Sequence, residues 1–218
     1  MRRSKIESLR AAAISCIAGA AATALGGVVV QAIVQPATNI SHDRWSYPWS
    51  SAALIPISLL WASLHVFVFY GLLGFARSGL AGTGRSARLG TTLALAGTAL
   101  LFVGELASIP IRDQRSDDTG VTIVGALFAI AILLTAAGFL FAGISTLRAR
   151  LWRGWRRLTP LSVGIAASLL LGLNSTHALA AGVAVYGLCL LAVGVALYTQ
   201  PTPTAADTVL PGAQGQLA

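Results

Sequence analysis

The sequence predicts an all-α protein: a polytopic bundle of six transmembrane helices, with both termini in the cytoplasm. Three observations carry that prediction. Hydrophobic residues make up 56% of the 218 positions and charged residues only 10%, whereas a soluble domain carries about 25% charged residues. The apolar residues fall in long stretches, and a spanning helix needs about 20 of them. Lys and Arg gather in the short segments between alternate stretches, which is the layout of cytoplasmic loops under the positive-inside rule.

The formal net charge of +8 does not point to a nucleic-acid partner, because the basic residues are dispersed among apolar spans. They sit in three clusters, Arg2 to Arg10, Arg77 to Arg88 and Arg148 to Arg157. These segments hold twelve of the fifteen Lys and Arg, and Arg44, Arg112 and Arg115 are the remainder. The loops carrying those three also hold Asp43, Asp113, Asp117 and Asp118, so the outer side is slightly acidic.

Taken in order, residues 1–10 form a basic cytoplasmic segment and residues 11–199 a transmembrane domain. The opening resembles a signal peptide, but only five residues separate Arg10 from Cys16, too few for a signal's apolar region. A retained first helix over 11–34 is the better reading. An outer loop, QPATNISHDRWSYPWS, leads to a second helix over 51–75. The basic loop after it returns the chain to a third helix over 89–111, and the outer loop RDQRSDDTG precedes a fourth over 120–147. Asn174, Ser175, Thr176 and His177 divide the last apolar block. That split gives a fifth helix over 160–179, with Thr159 as N-cap and Pro160 first in the helix, and a sixth over 182–199. Residues 200–218, rich in Pro, Ala and Gly, read as a disordered cytoplasmic tail. Helix pairs begin near 11, 89 and 160, the spacing of three antiparallel hairpins. Cys16 and Cys189 lie in apolar runs and read as reduced, buried thiols.

Polar residues inside the spans are the candidate functional groups. On the third helix Gly90, Gly97 and Gly104 recur every seven residues, with Thr91, Thr98 and Glu105 as a polar strip alongside. Ser51, Ser58 and His65 repeat at the same interval on the second, and a period of seven keeps residues on one seam of a helix pair. At about 1.5 Å per residue, Ser58 and Glu105 lie at one depth and His65 and Thr98 at another. The predicted seam therefore sets Ser58 opposite Glu105 and His65 opposite Thr98, and Arg112 is near enough to reach back toward Glu105.

A carboxylate in hydrocarbon is costly and usually faces a bundle interior or a wet cavity. Glu105 therefore reads as a proton or cation site, or as a tie between helices. Gln31, Ser108, Asn174 and His177 fall near its level, so an outward-facing pocket around Glu105 is expected. His65 reads as a neutral histidine bonded within the bundle. Pro56 leaves the Ala52 carbonyl without its helical donor. Trp45, Tyr47 and Trp49 read as an interfacial aromatic belt, with a lid as the alternative. Trp152 and Trp155 among Arg153, Arg156 and Arg157 read as an anchor for anionic lipid at the cytoplasmic face.

The sequence contains no Walker loop, H-E-x-x-H, C-x-x-C or G-x-S-x-G, so no catalytic residue, metal site or cofactor is expected. Gly82-Thr83-Gly84 imitates a dinucleotide fingerprint, but no strand precedes it. Fourteen Arg against one Lys, with abundant Ala and Gly, points to a GC-rich bacterial genome and a plasma membrane. The expected role is a non-catalytic subunit, sensor or scaffold. The alternative is a small carrier using Glu105. A lipid-modifying enzyme working through Glu105 and His177 is a weaker third reading, because such chemistry needs several acid, base or metal-binding groups together.

Overall fold

The computed structural model describes residues 2–173 and 176–200. The predicted tail over 201–218 and the candidate Asn174 lie outside the described residues.

Six helices follow one another. Helix α1 spans Arg2–Val29, continues as a π turn over Val30–Val34 and ends in Gln35–Ala37. The basic segment expected to precede the first helix is thus part of it, since Arg and Lys are good helix formers. The π turn has a local cause. Pro36 has no N–H and its ring crowds the carbonyl one turn earlier, and Gln35 donates its N–H to the Val30 carbonyl five residues back. Helix α2 is Ser51–Ser78, where the Ser50 side chain accepts from the Ala53 N–H at 3.2 Å and Gly79 closes the helix at φ 74°. Helix α3 is Arg85–Ser108 and α4 is Thr119–Ala149, with Arg150 left-handed after it.

A 3-10 turn, Gly154–Leu158, runs directly into α5, Thr159–Leu173, and α6 is Leu179–Tyr198. Thr159 is therefore not the N-cap that its sequence context predicts. Its backbone is already helical, and its hydroxyl donates to the Arg156 carbonyl at 2.9 Å. Helix α5 also stops earlier than expected. Thr176 donates both its N–H and its hydroxyl to the Leu173 carbonyl, at 2.9 and 2.8 Å, and this closes the helix at 15 residues. The other five helices are long and apolar enough to cross a membrane, and large apolar side chains such as Leu25, Leu60, Ile123, Leu169 and Leu188 cover the outside. The protein is a multi-pass helical membrane protein.

Each helix packs on its neighbours in the chain, and α6 returns to α1 through one of the two most extensive contacts. The helices thereby close a ring. Glycine sets the spacing of that last seam: a Cβ on Gly27 would meet the Ala184 backbone at 2.5 Å, and one on Gly187 would meet that of Ala24 at 2.5 Å. Numbers rising along α1 match numbers falling along α6, so the pair is antiparallel. The start of α1 and the end of α6 share one end of the ring, together with the arginine clusters.

The arginine half of the ring is solid. Phe75, Phe139, Val163, Leu190 and Val193 are buried in one cluster, and Leu72, Phe75, Ala94, Phe139 and Ala142 leave no room for water between them. Trp152 joins this cluster, 3% exposed and with its ring 5.6 Å from that of Phe75. It is therefore not the lipid-facing anchor that its arginine neighbours imply. Trp155 is 49% exposed with the Arg156 guanidinium over its ring. Arg156 also donates to the Thr199 carbonyl and hydroxyl at 3.1 and 3.2 Å, capping the end of α6.

Candidate functional site

The other half of the ring is open. A vestibule of about 440 Å³ lies between the helices and takes lining from all six, within the roughly 300–1,000 Å³ of small-molecule sites. Thr23 contributes from α1, Ser58 and His65 from α2, and Leu101, Glu105 and Ser108 from α3. Phe128 and Thr135 come from α4, Leu170 from α5 and Tyr186 from α6.

Three of the hydroxyls there are already committed. Thr23 donates to the Gly19 carbonyl, Ser108 to Gly104 and Thr135 to Ala131, each at 2.8–2.9 Å. Such bonding within a helix makes these positions behave as nearly apolar wall. What remains is the Glu105 carboxylate, the His65 imidazole, the hydroxyls of Ser58, Tyr47 and Tyr186, and the indole N–H groups of Trp45, Trp49 and Trp61.

His65 Nε2 and Glu105 Oε1 stand 3.7 Å apart, with side chains 12% and 18% exposed. That is ion-pair distance but too long for a hydrogen bond. Among the described residues no hydrogen bond reaches Glu105, and no Lys or Arg lines the vestibule. Arg112 does not reach back to Glu105. Its guanidinium donates to the Ile109 carbonyl at 3.0 Å and lies 3.6 Å from Asp113.

The His65–Glu105 pairing differs from the predicted seam, and helix direction explains the difference. Cα–Cβ bonds tilt toward a helix's own N-terminus. Helix α2 starts at the open end, so His65 leans toward that end. Helix α3 starts at the arginine end, so Glu105 leans the other way. The two long side chains close a gap in depth that a comparison of Cα positions leaves open. Thr98, the predicted partner of His65, is buried and donates to its own Ala94 carbonyl at 2.9 Å.

The loop between α1 and α2 folds over the mouth. Trp45, Tyr47 and Trp49 are half-buried and line the vestibule, and the Trp45 ring lies 6.2 Å from that of Phe128. They form a cover, the alternative to the interfacial belt. The loop after α3 holds this cover down. Trp45 N–H donates to the Gln114 carbonyl at 3.0 Å and Ser116 N–H to that of Asp43 at 2.7 Å. Arg115 pairs with the Asp43 carboxylate. The Ser41 side-chain hydrogen bond, then the Arg115 guanidinium, hold Asp43 below the usual carboxylate range.

A second cavity of about 570 Å³ adjoins the first and shares Tyr47, Trp49 and Trp61 with it. His177 lines this outer cavity, with its ring 4.5 Å from that of His42. It does not line the vestibule, so the predicted pairing of Glu105 with His177 is not formed. Gln31 lines neither cavity. Its Oε1 accepts from the Ala181 N–H at 3.1 Å and caps the start of α6. Among the described residues no group of three His, Cys, Asp or Glu could hold a metal ion.

Leu54, Ile57, Trp61, Phe128, Ile132 and Tyr186 line the vestibule and were not legible as site residues in the sequence. Apolar side chains facing a cavity and facing lipid look alike there. Comparisons with protein-family models, curated proteins and solved structures gave no match.

Proposed function

We propose that this chain is a non-catalytic receptor or binding subunit of the plasma membrane, which takes up a small molecule in a blind vestibule open to the outer face. One observation carries the reading. All six helices contribute to a single chamber whose lining includes the Glu105–His65 pair, and packed aromatic and aliphatic side chains fill the arginine half of the ring. A chamber with one mouth suits binding and reporting. The arginine-rich end is cytoplasmic by the positive-inside rule, and Arg153, Arg157 and Trp155 there contact anionic lipid.

The second reading is a carrier, favoured by an ionisable pair within the membrane. It requires the vestibule to connect with the arginine end in a second conformation. A cysteine accessibility experiment separates the two. Cys16 and Cys189 are first replaced by Ala, and then Gly125→Cys, in the vestibule wall, or Ala94→Cys, in the packed half, is introduced. A small water-soluble thiosulfonate is applied to the full chain in lipid vesicles. Receptor function predicts rapid reaction at 125 and none at 94. Comparable rates at both positions establish a water path and the carrier. No reaction at 125 removes the vestibule from consideration.

A further inference from the structure

We propose that the vestibule's ligand is a monovalent organic cation with an apolar body, such as a lipophilic ammonium. This rests on the vestibule being a binding site and names what it binds.

The lining is specialised in two ways at once. Three of the chain's five Trp face it, Trp45, Trp49 and Trp61, together with Tyr47, Phe128 and Tyr186. Aromatic faces present negative charge and attract cations, and cages of them recognise quaternary ammonium groups. Among the described residues Glu105 is the sole carboxylate in the lining, and no Lys or Arg lines it. His65, the ion-pair neighbour of Glu105, stands beyond hydrogen-bond range. An anion would meet the carboxylate and the π faces, both repulsive. A neutral apolar molecule would leave Glu105 without any new partner. A bulky cation contacts the π faces with its body and compensates Glu105 with its charge, and so satisfies both features.

Trp61 ties this site to the outer cavity. Its indole edge lies over Gly26, where a Cβ would stand 3.0 Å from the ring, and Trp61 lines both chambers. A cation arriving from the outer cavity therefore passes a continuous aromatic surface.

The binding is also sensitive to acid. The titratable side chains facing the vestibule are His65 from α2, Glu105 from α3, Tyr186 from α6 and Tyr47 from the loop, and α1, α4 and α5 supply none. A proton added to the His65–Glu105 pair supplies the positive charge that the ligand would bring, so protonation and the ligand compete.

The test is calorimetric titration of the purified full chain in maltoside micelles, corrected for empty micelles. The probes are tetraphenylphosphonium and tetraphenylborate, which share shape and differ in charge. The phosphonium has no proton to lose, so any pH dependence belongs to the protein. Saturable binding of the phosphonium but not the borate is expected, weakening as pH falls. Glu105→Gln lowers phosphonium affinity by about tenfold or more, because the amide removes the attraction between the carboxylate and the phosphonium charge in a site of reduced dielectric. Equal binding of both probes, or phosphonium binding unchanged in Glu105→Gln, overturns the proposal. The probe comparison needs no variant, so a misfolded Glu105→Gln does not blunt it.

Gly125→Phe separates this proposal from the one beneath it, because a Cβ there meets nothing within 4 Å and a ring at that position narrows the chamber against probes as bulky as these. Loss of both probes in that variant, after equal binding in wild type, keeps the vestibule and discards the cation. Undiminished binding of both discards the two together.

Discussion

Asp43 holds the vestibule's cover in place through charge. Its carboxylate pairs with Arg115, and its carbonyl receives the Ser116 N–H and hydroxyl. Because its folded pKa is lowered, the contact stabilises the cover above the unfolded carboxylate value of about 3.9 and is lost as pH falls through the lower folded value. Tryptophan emission from Trp45 and Trp49 should therefore stay constant from neutrality to about pH 4 and shift to the red below it. Asp43→Asn should show the shifted emission already at neutral pH, and unaltered spectra in both experiments would deny the contact any role. Nothing in the sequence singles out this pair, because Asp43 and Arg115 are 72 positions apart and each reads as an ordinary loop charge. Glu105 and His65 stood out in the sequence, since an ionisable group inside a span is rare, and Ser58 by its seven-residue spacing from Ser51 and His65. Their pairing did not, because side-chain tilt is invisible to a comparison by depth.

Glycine periodicity on α3 was read correctly as a packing strip, and the structure supplies its partner. A Cβ on Gly90 would meet the Ala142 backbone at 2.5 Å, and α4 answers with Gly138, which abuts Ala94 of α3. The strip thus serves the α3–α4 seam, while Glu105 of the polar strip beside it turns toward His65 of α2 and the vestibule. Close backbone approach of this kind is how helices associate without a hydrophobic drive. Gly138→Ala should accordingly lower stability by about 1–3 kcal/mol, the range for inserting a methyl into a packed seam. Gly172→Ala, whose Cβ meets nothing within 4 Å, should be neutral or gain about 0.5–1 kcal/mol from helix propensity. Thermal unfolding of the two variants in one detergent checks the contrast, and equal Tm values would show that the seam is not tight. Helix α5 was the least legible element. Asn174 to His177 mark the break after it in the sequence, but the expected end at 179 lay beyond that break, and the two bonds from Thr176 back to the Leu173 carbonyl place it earlier.

Closure of the ring decides what the molecule can be. Six antiparallel helices placed side by side would make a sheet of helices with no interior, and the α1–α6 seam converts that row into a wall around a chamber. Hydropathy gives the number of spans and charge gives their direction. Neither contains the closure, because the small residues of α1 and α6 resemble those of every other helix here. Direction then determines which compartment the vestibule samples. Twelve of fifteen Lys and Arg lie at the end opposite the mouth, so the mouth should face outward. In a chain freed of Cys16 and Cys189, an impermeant maleimide should label Asp117→Cys in intact cells and Arg150→Cys only after permeabilisation. The reverse pattern would turn the vestibule toward the cytoplasm. Labelling of both positions in intact cells would mean mixed insertion, and a receptor with one mouth would then need a fixed orientation from a partner.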